Sequence, residues 1–164
     1  MVPGASCVHE PTTRFNRWQD IGAIWNDSTT GHVGVSDSCL GLHLGELLEQ
    51  YSPRTLIVRR PLNDVAASLR RIGLPITHRA LTVLWGRLEP YLDHPLVKVV
   101  EFRDMNRRAY ESLAFLMPGA DIDPARVERM NGMNIQADVT ATVATTRGRD
   151  LAPILGADVV AELQ

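Results

Sequence analysis

Arg59 and Arg60 stand where the apolar run "TLIVRR" meets Pro61 and the amphipathic stretch "PLNDVAASLRR". A strand that ends beside a helix start presents unpaired N–H groups and the positive end of the helix dipole. A phosphate is readily held at such a junction. Arg60 adds a planar fork able to grip an anion with two hydrogen bonds. Ser68 follows Arg60 by eight positions and, on a helical period, shares a face with Pro61 and Asp64. Helical side chains lean toward the N-terminus, so its hydroxyl is aimed back at the same anion. The chemistry on offer is anion binding by Arg60, Ser68 and the adjacent Arg59. The competing reading pairs both arginines with carboxylates and leaves Ser68 as a small packing residue.

Other residues carry chemistry in the same region of the fold. Asp37, between Ser36 and Ser38, ends the run "HVGVSD". It is a candidate general base, or else a cap for the helix that follows. His9 and Glu10 end "ASCVHE" and are candidates for proton transfer or acceptor binding, against a satisfied polar pair at a strand end. Arg147 in "TTRGRD" (145–150) is a candidate ligand contact, against a solvated turn. His43, His78 and His94 have no ligand spacing and read as surface or core. Trp18 and Trp25 fall in a loop, 11–31, and either bind an acceptor or anchor the loop. Cys7 and Cys39 form neither a CxxC nor a zinc spacing and are expected to be buried free thiols, with no metal bound.

These residues need a frame that brings strand ends together. Four β-type runs occur, at 5–10, 32–37, 55–60 and 96–102. Helical patterns fill the intervals. Residues 38–51 carry apolar side chains at 40, 44, 47 and 48 with Ser38 as N-cap. Residues 61–72 begin with Pro61. Residues 77–93 place Leu81, Leu84, Trp85 and Leu88 on one face behind Thr77 as cap. Asp104 is expected to cap a helix through Met117, and Asp123 one beginning at Pro124. A last amphipathic stretch covers about 151–163. Strands alternating with helices imply right-handed crossovers. The fold class is therefore α/β, a three-layer sandwich with a mainly parallel sheet of about four strands. Residues 1–137 form the α/β unit, and 138–164 add a strand or linker plus a helix to the same domain. In such sheets ligands bind beyond the carboxyl ends of the strands.

Composition narrows the partners. The chain has 164 residues and a net charge of −2, with Lys98 the single lysine. No electrostatic footprint for nucleic acid is present. No apolar run approaches the roughly 20 residues of a membrane span, and "MVPGASCVHEP" has neither a basic start nor an apolar segment of a leader. A cytoplasmic location is expected.

The segment "IVRRPLNDVAAS" resembles the 3′-phosphate-binding segment of the sulfotransferase family. There a strand ending in arginine leads through a turn, often containing Asp-Val, to a serine eight residues later. "VVEFRDM", "FLMPGADIDPARV", "CVHEP" and "VGVSDS" are similar to further family segments, and the likeness covers roughly 5–135. It implies that Arg60 and Ser68, with Arg59 adjacent, hold the 3′-phosphate of 3′-phosphoadenosine 5′-phosphosulfate or adenosine 3′,5′-bisphosphate. It also implies that Asp37 lies where the family keeps its base, and that Arg147 is similar to the arginine of a C-terminal phosphate loop. The family's "PRSGTT"-like loop, which binds the 5′-phosphosulfate, does not occur in this chain, nor does G-x-x-x-x-G-K-[ST]. Lys98 sits inside an expected strand. The chain is accordingly read as a truncated or degenerate relative, inactive by itself. The alternatives are a non-catalytic 3′-phosphonucleotide-binding module and a structural protein. The family's loop-bearing strand lies between the strands that match 32–37 and 55–60. That gap is expected to close by direct pairing of 32–37 with 54–60, or to be filled by "DVTATVATT" (138–146) from the same chain or from a second copy, and a homodimer is expected.

Overall fold

The computed structural model describes residues 5–9, 11, 15, 17–26, 31–37, 39–71 and 76–131. All four β-type runs are strands: β1 (Ala5–His9), β2 (His32–Ser36), β3 (Thr55–Arg59) and β4 (Val97–Glu101). Helices α1 (Gly22–Asn26), α2 (Leu44–Tyr51), α3 (Leu62–Arg71), α4 (His78–Leu88), α5 (Ala109–Leu116) and α6 (Pro124–Asn131) fill the intervals.

The strands pair in parallel but not as one sheet. β1 pairs with β2 in the register Ala5↔His32 to His9↔Ser36, and β3 with β4 in the register Thr55↔Val97 to Arg59↔Glu101. Among the described residues β2 and β3 exchange no ladder bonds, so the four strands form two two-stranded sheets. The expected α/β class and parallel pairing are present, the expectation of one sheet of about four strands is corrected to two sheets of two, and direct pairing of 32–37 with 54–60 does not occur.

Period-two alternation assigns the layers of the β3–β4 pair. Ile57 and Val97 are buried against Leu44 and Leu48 of α2, with Val99, Trp85 and Leu88 in the same cluster. The opposite face carries Lys98, whose Nζ lies 5.9 Å from the Phe115 ring of α5. Arg54, just ahead of β3, donates to the Phe115 carbonyl at 3.2 Å. The C-terminal end of α5 therefore lies at the amino ends of the strands, and α5 runs antiparallel to them. On the α2 side, Leu47 belongs to a second cluster with Trp18, Ile21 and Leu40, joined by Ile24, Trp25 and Val35. Thus α1, α2 and α4 all lie on one face, and α2 spans from β2 to β3–β4. The apolar positions expected on its stretch (Leu40, Leu44, Leu47, Leu48) are all buried. Burying a leucine contributes about 1.5–3 kcal/mol, so this one stretch holds the two sheets under a common roof.

Local chemistry sets the helix ends. Thr77 Oγ1 accepts from Ala80 N at 3.1 Å, and Asp123 Oδ1 from Ala125 N at 2.9 Å, as the cap residues require. Asp104 does not cap a helix. It ends a 3-10 turn, Phe102–Asp104, its carboxylate holds Arg107 at 3.1 Å, and α5 begins only at Ala109. The 3-10 turn Leu40–His43 precedes α2, and the Ser38 cap expected there lies outside the described residues. The 11–31 interval contains a 3-10 turn, Trp18–Ile21, running into α1. Cys7 is exposed and Cys39 half-buried, which corrects the expectation of two buried thiols. Their strand and turn positions lie at the margin of the core, and partial burial pushes the Cys7 thiol up. No helix among the described residues is long and apolar enough to cross a membrane.

Candidate functional site

β3 and β4 end side by side, and their last residues are register partners. Arg59 Nε donates to Glu101 Oε1 at 2.6 Å, and a second nitrogen of the same guanidinium contacts the same oxygen. Arg59 is thereby neutralised. Arg60, one residue on, turns to the other face, where its guanidinium lies 4.9 Å from the centre of the Phe102 ring. Among the described residues Arg60 has no carboxylate within ion-pair distance. The two neighbouring cations therefore differ in kind. Arg59 ties two strand ends together, while Arg60 is a half-buried charge propped on an aromatic face. A cation over a ring keeps its N–H edge available to an anion.

Pro61 opens the helix behind them. Its carbonyl accepts from Asp64 N at 2.9 Å and Val65 N at 3.1 Å, closing the first turn of α3. Ser68 lies in α3, half-buried. It sits about 9 Å along the axis from Leu62, at a rise of ~1.5 Å per residue. Arg60 and Ser68 thus stand at the head and beside the second turn of α3. Asp64, exposed in the first turn and one turn before Ser68, puts a like charge on that side.

The remaining candidates divide between the two sheets. His9 and Ser36 are register partners at the carboxyl end of β1–β2, and Asp37 follows directly. Asp37 Oδ1 accepts from Cys39 N at 2.7 Å and Leu40 N at 3.2 Å, so its carboxylate caps the turn that leads into α2. Asp37 and His9 belong to one strand pair and Arg59 and Arg60 to the other. Arg147 lies outside the described residues. Trp18 is buried and stacks on His43 with centroids 4.9 Å apart, and Trp25 meets Tyr51 at 4.6 Å. Both tryptophans anchor their segment to the α2 region.

A cavity of about 380 Å³ opens beside the Arg59–Glu101 pair, lined also by Leu92, Asp93, Val99, Asp104 and Arg108. Its lining has one more carboxylate than guanidinium, and neither Arg60 nor Ser68 lines it. Lys98 is committed elsewhere, its Nζ 3.4 Å from the Glu111 carbonyl. Sequence reasoning passed over Glu101 as the partner of Arg59. The signal was present, since "TLIVR" and "VKVVE" are five-residue strands ending in opposite charges.

No protein-family model, no curated protein and no solved structure matches the chain.

Proposed function

We propose that this chain is a sulfotransferase-like α/β domain that binds a 3′-phosphorylated adenine nucleotide at the end of β3, with Arg60 as the principal contact and Ser68 as the second. One observation supports this reading above the rest. Of two adjacent arginines, Arg59 is spent on Glu101, while Arg60 rests on Phe102 without a carboxylate partner among the described residues. A half-buried cation that the fold does not neutralise is a charge left for a ligand.

Transfer of a sulfonate group from 3′-phosphoadenosine 5′-phosphosulfate needs more than this grip. Charge developing on the transferred group and the leaving oxygen must be met by backbone amides and a cation. The sequence has no loop of that kind, and Lys98 is held in β4 against α5. Asp37, the candidate base, accepts two backbone N–H groups as a cap. The reading is therefore binding without turnover by the 164-residue chain. Calorimetric titration with adenosine 3′,5′-bisphosphate tests it. Heat that saturates, and that is lost with Arg60→Ala, is the expected result. No heat at millimolar ligand refutes the proposal.

A further inference from the structure

The cavity beside the Arg59–Glu101 pair is separate from the Arg60 junction. Val99, part of its lining, belongs to the cluster under α2 and α4, so the cavity opens on that face, while Arg60 turns to the other. Its walls come from several stretches of chain. Leu92 and Asp93 follow the 3-10 turn Glu89–Tyr91, on the amino side of β4. Arg108 lies past the carboxyl end of β4, just ahead of α5. Its volume of about 380 Å³ falls in the lower part of the range of small-molecule sites, roughly 300–1,000 Å³.

The charges in the lining differ in how far they are used. Arg59 and Glu101 hold each other, and Asp104 holds Arg107, which is not part of the lining. Asp93 and Arg108 are left. Both are exposed, and neither forms an ion pair with the other or with any described residue. The carboxylates do not converge as a metal site, since no group of three ligating side chains lies close enough among the described residues. What remains is one carboxylate and one guanidinium that share a cavity without closing on each other, with Leu92 and Val99 as the apolar part of its lining. Each charge is hydrated on its own. A ligand gains most by meeting both at once and by covering the apolar side chains.

We propose that this cavity binds a small chain-like zwitterion, an ω-amino acid. Its ammonium group donates to the Asp93 carboxylate, its methylenes cover Leu92 and Val99, and its carboxylate accepts from the guanidinium fork of Arg108. A plain carboxylic acid lacks the bond to Asp93, and a plain amine lacks the bond to Arg108. Glycine carries both charges but has no methylene chain for the apolar lining. The site stands independently of nucleotide binding, because Arg60 and Ser68 take no part in it.

Titration of the isotope-labelled full chain with ε-aminocaproate, followed by amide NMR, tests the proposal. The amides of Val99, Glu101 and Arg108 should shift and saturate at millimolar ligand. Asp93→Asn and Arg108→Gln change exposed side chains and should leave Tm in place, while each weakens binding about fivefold at low salt. Hexanoate, hexylamine and glycine should each bind about fivefold more weakly than ε-aminocaproate. Arg60→Ala should leave the affinity as it is, so that failure of the nucleotide reading and failure of this one are told apart. Absence of saturating shifts overturns the proposal. So does unchanged affinity in Asp93→Asn or in Arg108→Gln. Hexanoate or hexylamine binding as well as ε-aminocaproate also overturns it, and reduces the site to a single-charge contact.

Discussion

The contrast between Arg59 and Arg60 is best tested by exchanging the two effects. Arg59 and Glu101 have side chains 50% and 31% exposed. An ion pair in that range contributes about 0.5–1 kcal/mol. Arg59→Ala should therefore lower Tm by about 1–4 °C in a chain of this size and leave nucleotide affinity nearly unchanged. Among the described residues, Arg60→Ala loses a cation–π contact to Phe102, a ring 52% exposed. That costs about 0.5–1 kcal/mol of stability. In binding it removes a charged hydrogen-bond donor, worth about 1.5–3 kcal/mol, which is roughly a 10- to 150-fold loss of affinity. Calorimetry with adenosine 3′,5′-bisphosphate and thermal unfolding of both variants give the four numbers required. Equal affinity in wild type and Arg60→Ala would refute the assignment of Arg60. A large affinity loss in Arg59→Ala with none in Arg60→Ala would move the anion to the cavity on the Glu101 side.

Three further outcomes are expected. Asp64→Asn should tighten binding of the same nucleotide about two- to threefold at low salt, as removal of one exposed like charge allows, and unchanged affinity would place the anion away from α3. Asp37→Ala should cost about 0.5–2 kcal/mol in urea unfolding through loss of the cap to Cys39 N and Leu40 N without altering nucleotide affinity, and an unaffected midpoint would contradict the capping role. The 164-residue chain should show no sulfonate transfer to phenols, alcohols or sugars in a radiolabel assay, and turnover dependent on Arg60 would show that another segment supplies the missing cation.

The parts of this fold that were legible in the sequence are those decided within a few residues. β-branched runs gave the four strands, and the leucine period at 40, 44, 47 and 48 gave the buried face of the α2 stretch. Thr77 and Asp123 were legible as caps because a short polar side chain before a helix has few other uses. Asp104 looked the same and was not a cap. A downstream cation, Arg107, competes for its carboxylate, and local pattern does not rank the two bonds. Tryptophans at 18 and 25 read as loop residues because a five-residue helix carries too little periodicity to be seen. Pairing across distance was the least legible. Arg59 and Glu101 are 42 positions apart, and nothing near either residue says that their strands are neighbours. The division of the strands into two sheets is likewise a property of edges, which have no sequence signature of their own.

The Arg59–Glu101 contact also bears on how the chain avoids mispairing. β3 and β4 are short and nearly uniform in their apolar residues, so hydrophobic contact alone distinguishes poorly between alignments. A slip of one residue turns Ile57 away from α2 and exposes the wrong face. A slip of two keeps every face correct and would pass that check. It is the charges that reject it. Shifted one way, Arg59 stands opposite Arg103, and shifted the other way, opposite Val99, with Glu101 left alone in both. The pair at the strand ends thus acts as a reading frame for the ladder, selecting one alignment among several that burial would accept.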